Sequence, residues 1–128
     1  MAQLKSYLGY NAFAYELSRK LVQMKKLITV NAFNPGLMTD TNLSAGNKSR
    51  FTKDFLESIK ERLGSLPVSS KALAEMITEP YFGEVTAKYN DRGNVVLSSE
   101  LSCNTQNQND LWQTSVNLTG LQAEDIFS

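Results

Sequence analysis

The chain has 128 residues, 41% apolar and 20% charged, with 13 basic and 13 acidic side chains and no histidine. This is enough for one domain of ordinary size. It excludes the basic excess of a nucleic-acid binder, and no apolar run reaches the roughly 18 residues of a membrane span.

Cys103 is the only cysteine, which excludes an internal disulfide and a clustered-cysteine zinc site. The N-terminus lacks the apolar core of a signal peptide, so a reducing cytoplasm fits. Residues 6–25 read as a helix, with Phe13, Leu17, Leu21 and Met24 on one face and Leu8, Ala12, Tyr15 and Val22 widening it. Lys20, Lys25 and Lys26 lie toward its C-terminal end, where cations suit the helix dipole.

Leu27, Ile28, Val30 and Phe33 then form a short apolar run, as expected of a strand buried on both faces. Asn34-Pro35-Gly36 stops it, because Pro35 has no N–H for a ladder and Gly36 opens backbone angles other residues avoid. A helix feeding a buried strand is half of a βαβ unit. In an open α/β sheet ligands bind past the carboxyl ends of the strands, which makes residues 34–41 the candidate site. Residues 39–50 are polar and read as a loop, either covering that site or simply exposed.

Phe51, Phe55, Ile59 and Leu63 repeat every four residues, predicting a second helix that ends at Gly64. A third follows Pro67, capped by Ser69 or Ser70, with Ala72, Leu73, Met76 and Ile77 inward and Pro80 at its end. Residues 84–97 look β-rich, turning at Asn90-Asp91-Arg92-Gly93. The polar stretch 105–110 leads to a final helix whose inward face is Leu111, Trp112, Ser115 and Leu118, ended by Gly120. Trp112 reads as a packing anchor. Cys103 has no evident activating partner and reads as a small packing residue. Asp54, Glu57 and Glu61 read as a solvated face. Without histidine there is no Ser-His-Asp or Cys-His system.

The segment VNAFNPGL followed by Met38-Thr39-Asp40-Thr41-Asn42-Leu43 resembles the penultimate strand and following loop of short-chain dehydrogenases/reductases. The likeness is nearest to the branch of retinol dehydrogenases and light-dependent protochlorophyllide reductases. Residues 13–21, Ala87-Lys88-Tyr89, 98–102, 110–112 and 118–121 resemble further segments of that branch in the same order, so the likeness covers about residues 12–121. It implies the C-terminal portion of a doubly wound Rossmann-like parallel sheet: the last two strands and three or four helices, with the N-terminal dinucleotide-binding half missing.

By this resemblance the turn lies against the nicotinamide of NADP or NAD, its backbone meeting the carboxamide. Asn34, Pro35, Gly36, Leu37, Met38 and Thr41 are the cofactor-contacting candidates. Asp40 departs from the pattern, which has a small uncharged residue there. The helix beginning at Phe51 would shape a substrate pocket; the residues themselves ask only for core packing. The glycine-rich turn that cradles a pyrophosphate is absent, since the closest glycines stand ten residues apart. The family's tyrosine-lysine pair would fall near Gln3 and Tyr7, and neither matches. Tyr15, Ser18 and Arg19, with Lys20 one position late, only imitate it. No catalytic residue is assigned. The expectation is a truncated oxidoreductase, inactive and without bound cofactor by itself, or else part of a longer reading frame. The alternative is a non-catalytic module derived from that fold, pairing with itself or with another subunit; the partners expected are a second copy of the chain or the missing N-terminal half in trans.

Overall fold

The structure, a computed structural model, describes residues 2–39, 51–121 and 125. Six α-helices and three short strands occur among them, a mixed α/β arrangement. The first helix, α1 (Ala2–Gln23), stops two residues before the expected end. Lys25 takes a left-handed φ of 56°. The Lys25 N–H bonds Val22 O and the Lys26 N–H bonds Leu21 O, both at 3.0 Å. This pair of reversed bonds closes the last carbonyls of the helix and sends the chain away.

Strand β1 is Ala32–Asn34, β2 is Tyr89–Asp91 and β3 is Asn94–Val96, hydrogen-bonded in the order β1-β2-β3. The β1–β2 pair is parallel. The Ala87 N–H bonds Val30 O at 2.8 Å, the Ala32 N–H bonds Lys88 O at 2.8 Å and the Arg92 N–H bonds Asn34 O at 2.9 Å, so both segments advance together. Strands β2 and β3 form a hairpin through Arg92 (φ 52°) and Gly93 (φ 96°). Two positive φ angles make the tight turn whose twist matches the strands. The expected wholly parallel pair is thus a mixed three-stranded sheet.

The strand expected over Leu27–Phe33, buried on both faces, is corrected. Its ladder covers only Ala32–Asn34, and Leu27 is fully exposed with Ile28 56% exposed. The partner segment bonds from Ala87 onward, opposite Val30, so residues 27–29 meet no ladder from β2. At the other edge, among the described residues, β1 is the end of the sheet. Apolar composition makes a strand possible, but only a neighbour on each side buries it.

The helix expected from Phe51 divides into α2 (Lys53–Ser58), capped by the Thr52 hydroxyl, and a 3-10 turn at Lys60–Arg62. The next, α3 (Leu66–Thr78), begins at N-cap Ser65 with Pro67 in its first turn. Proline suits that position, so the expected caps Ser69 and Ser70 lie inside the helix. Pro80 both ends α3 and opens α4 (Pro80–Glu84). Ser99 caps a one-turn α5 (Glu100–Cys103), and Asn104 caps α6 (Thr105–Thr119), which Gly120 ends.

The described chain forms two compact units. One holds α1, α5 and α6, with residues 85–89. In it Trp112 is buried, stacked on Phe13 with ring centroids 5.0 Å apart, and the Lys20 ammonium lies 5.1 Å from the indole centroid. The buried Glu16 carboxylate takes Arg19 at 2.7 Å and Lys20 at 3.2 Å. The other unit takes in residues 33–84 and 90–96, with α2, α3, α4 and the hairpin from Asn90 onward, and Ala72 is buried in it. No helix among the described residues is long and apolar enough to cross a membrane.

The buried indole anchors α6 to α1. Trp112→Ala should cost about 3–5 kcal/mol in urea denaturation, as for other large buried aromatics; a loss below about 1 kcal/mol would show that the ring is not the anchor.

Candidate functional site

Asn34 closes β1 and shapes the turn after it. Its Oδ1 accepts the Gly36 N–H at 3.0 Å, folding the chain back, and its Nδ2 donates to Asp91 Oδ1 at 3.0 Å. Pro35 presents its carbonyl to the buried hydroxyl of Ser69, which donates to it at 2.7 Å. Gly36 has φ 81°, a left-handed angle that favours glycine.

Leu37 then pairs in parallel with Leu63. The Leu37 N–H bonds Arg62 O at 2.8 Å, and the Gly64 N–H bonds Leu37 O at 3.0 Å. Gly36 and Gly64 interlock here. A Cβ built on Gly64 would stand 2.1 Å from Pro35 O, and one on Gly36 2.7 Å from Gly64 Cα. Arg92 ties the assembly together. Its Nε and Nη2 grip Asp91 at 3.0 and 2.9 Å, while Nη1 donates to Glu61 O and, at 3.3 Å, to Leu63 O.

Of the residues expected at the site, Asn34, Pro35, Gly36, Leu37 and Met38 lie together at the carboxyl end of β1. Thr41 and Asp40, with the loop expected over residues 39–50 beyond Thr39, lie outside the described residues. Sequence reasoning missed Gly64, Ser69, Asp91 and Arg92 as partners of the turn. Gly64 signals only a helix end, and residues 90–93 signal only a turn. Neither local pattern says what it faces.

The imitation pair comes apart. The Tyr15 hydroxyl donates to Ser98 Oγ at 2.8 Å. Arg19 bonds Glu16 and Gln108, and Lys20 bonds Glu16. Burial raises the Tyr15 pKa above its usual value; the Ser98 bond opposes this, and charge at Cys103 and Tyr89 adds to it. A proton-donating tyrosine at neutral pH needs the opposite shift, so Tyr15 has no support as a catalytic acid. Cys103, expected to pack inside, is exposed, its Sγ 3.4 Å from Ser98 Oγ at the end of the one-turn α5. Among the described residues no group of three or more Cys, Asp or Glu is placed to hold a metal.

Comparison with family models, with curated proteins and with solved structures finds no match to this chain.

A raised folded-state value makes the neutral Tyr15 phenol the stabilising form. Its contribution is whole below the unfolded value near 10 and is lost as pH rises through the folded value. Tyr15→Phe should therefore lose less stability than the parent in urea titrations between about pH 8 and pH 11. Equal slopes would contradict the shift.

Proposed function

We propose that residues 12–121 form the C-terminal half of a short-chain dehydrogenase/reductase-type fold: the last parallel strands of a doubly wound, Rossmann-like sheet and its flanking helices. The complete fold would transfer hydride between NADP or NAD and an alcohol or ketone. The observation that carries this reading is the parallel β1–β2 pair with the Asn34-Pro35-Gly36 turn at its carboxyl end. Ligands of open α/β sheets bind at that end. The helix α1 leading into β1 supports it further, as does the order of matching segments in the sequence.

The 128 residues carry neither a glycine-rich turn nor a Tyr-x-x-x-Lys pair. In this reading other residues supply both, in the same chain or in trans, and the 128 residues alone neither bind cofactor tightly nor catalyse. As the turn stands, it does not fit a nicotinamide: the Leu37 backbone donor and acceptor are already bonded to Arg62 and Gly64. No catalytic step is assigned to it. The even charge balance and single cysteine suit a cytoplasmic protein that binds no nucleic acid.

A second reading is a non-catalytic module that pairs with itself or with another subunit. The edge position of β1 favours it, together with Leu27 and Ile28 exposed beside it.

Mixing the chain with the dinucleotide-binding half of a short-chain dehydrogenase separates the two readings. The first predicts association by light scattering and a saturable rise in NADPH fluorescence that neither half gives alone. Association without that rise would overturn the oxidoreductase reading and leave the pairing module. A stable monomer that ignores the added half would overturn both.

A further inference from the structure

Among the described residues β3 is the second edge of the sheet, and its outward backbone is open. In β2 the Lys88 carbonyl and the Arg92 N–H bond β1, which turns the backbone groups of Tyr89 and Asp91 toward β3. The turn through Arg92 and Gly93 closes on Asp91 and Asn94. Asn94 and Val96 therefore bond back to β2, and the N–H and C=O of Val95 between them point away from the sheet. Those of Leu97 follow by the same alternation.

This edge carries none of the usual protection. All three residues of β3 are exposed, and Leu97 after them is 92% exposed. Sheet edges are ordinarily blunted by a lysine, a proline or an inward charge. Residues 93–99 contain no charged residue and no proline. The run Val95-Val96-Leu97 puts apolar side chains on both faces of the strand.

We propose that β3 is a homodimer edge, pairing antiparallel with β3 of a second copy about a two-fold axis at Val96. The register follows from the groups that are free. A two-fold at Val95 would set Leu97 against Gly93, whose N–H is already bonded to Asn90 Oδ1 at 2.8 Å. A two-fold at Val96 sets Val95 opposite Leu97 of the copy, both with outward donors and acceptors, so reciprocal backbone bonds form on each side of the axis. Val95 then packs on Leu97 of the copy on one face, and Val96 on its own counterpart on the other. The nearest charged residues are Arg92 before this run and Glu100 after it. Antiparallel pairing brings these opposite charges toward each other, whereas parallel pairing would set like on like.

The pair uses up both β3 edges, so it closes at two chains. The contact is small, below about 1,200 Å² for the two copies together, which makes the pairing weak and dependent on concentration. The inference goes beyond both functional readings above, which concern β1 at the other edge.

Two variants of the full chain test it. Val95→Pro removes the outward N–H and leaves the bonds of Asn94 and Val96 to β2 in place, since an edge strand accepts proline where its N–H faces solvent. Leu97→Lys puts a charge into the apolar contact at a position already exposed, and it serves if the proline variant does not fold.

The readouts are sedimentation equilibrium from micromolar to millimolar chain and amide exchange by NMR over the same range. The parent should move from the mass of one chain toward that of two. Its Val95 and Leu97 amides should exchange at least about tenfold more slowly at the high end. Each folded variant should keep the mass of one chain. A parent that keeps the mass of one chain throughout would overturn the homodimer and leave the edge to a strand of a different chain. A dimer with those amides unprotected, or one that a folded variant forms as readily as the parent, would overturn the β3 contact and leave the readings that concern β1 standing.

Discussion

The parallel pairing of residues 30–34 with residues 87–92 is the constraint on which the rest depends. It joins segments more than fifty residues apart in sequence, and a parallel pair always needs such a crossover. The ladder is short, so side chains extend it. The Asn31 amide accepts the Lys88 N–H at 2.9 Å and donates to Val85 O at 3.1 Å, bracketing the incoming strand. Thr86 accepts the Val30 N–H at 2.9 Å and shares a 2.7 Å bond with Ser18 of α1. These groups bind backbone that the short strands leave unpaired. They also fix the register, which decides where β1 ends and hence where its turn lies.

That arrangement leaves apolar surface uncovered. Among the described residues the buried hydrophobic side chains are Ala12, Leu21, Ala72 and Trp112, while Leu27, Ile77, Leu97 and Leu118 are each more than three-quarters exposed. Polar groups carry an unusual share of the organisation. Glu16 is buried with two cations on it, and Gln108 is buried against Ser102 O and the Arg19 guanidinium. Losing one partner of such a group costs more than its bond, because the other stays behind without it. Exposed Leu27 and Ile28 beside a sheet edge invite a further strand, which is what both functional readings require of this face.

Much of the fold is legible where the signal is local. The Asn34-Pro35-Gly36 stop, the turn before Gly93, Pro80 at the end of α3 and Gly120 after α6 each follow from backbone preferences of single residues. Trp112 is legible as an anchor because a large aromatic on a helix's apolar face buries well. The misses share one cause. Leu27 and Ile28 look like a buried strand, but burial depends on a neighbour that no described residue supplies. Lys25 ends α1 early in a left-handed conformation that its residue type does not advertise. Pro67 looks like a separator, although it sits in the first turn of α3 and turns Ser69 inward toward Pro35. The candidate turn is visible in the sequence, but its partners at residues 61–64, 69 and 91–92 are set by tertiary contact and leave no mark in the local pattern.

The direction of the β1–β2 pairing in solution is the most direct test. Cross-strand nuclear Overhauser effects and amide exchange on the labelled chain read it. A parallel pair predicts slow exchange at the amides of Ala32, Ala87 and Arg92, with contacts that advance together from Val30 and Ala87 to Asn34 and Arg92. It predicts rapid exchange at Leu27 and Ile28. Contacts running in opposite directions would make the pair antiparallel. The turn would then no longer lie at the carboxyl end of a parallel pair, and the α/β cofactor reading would fall with it.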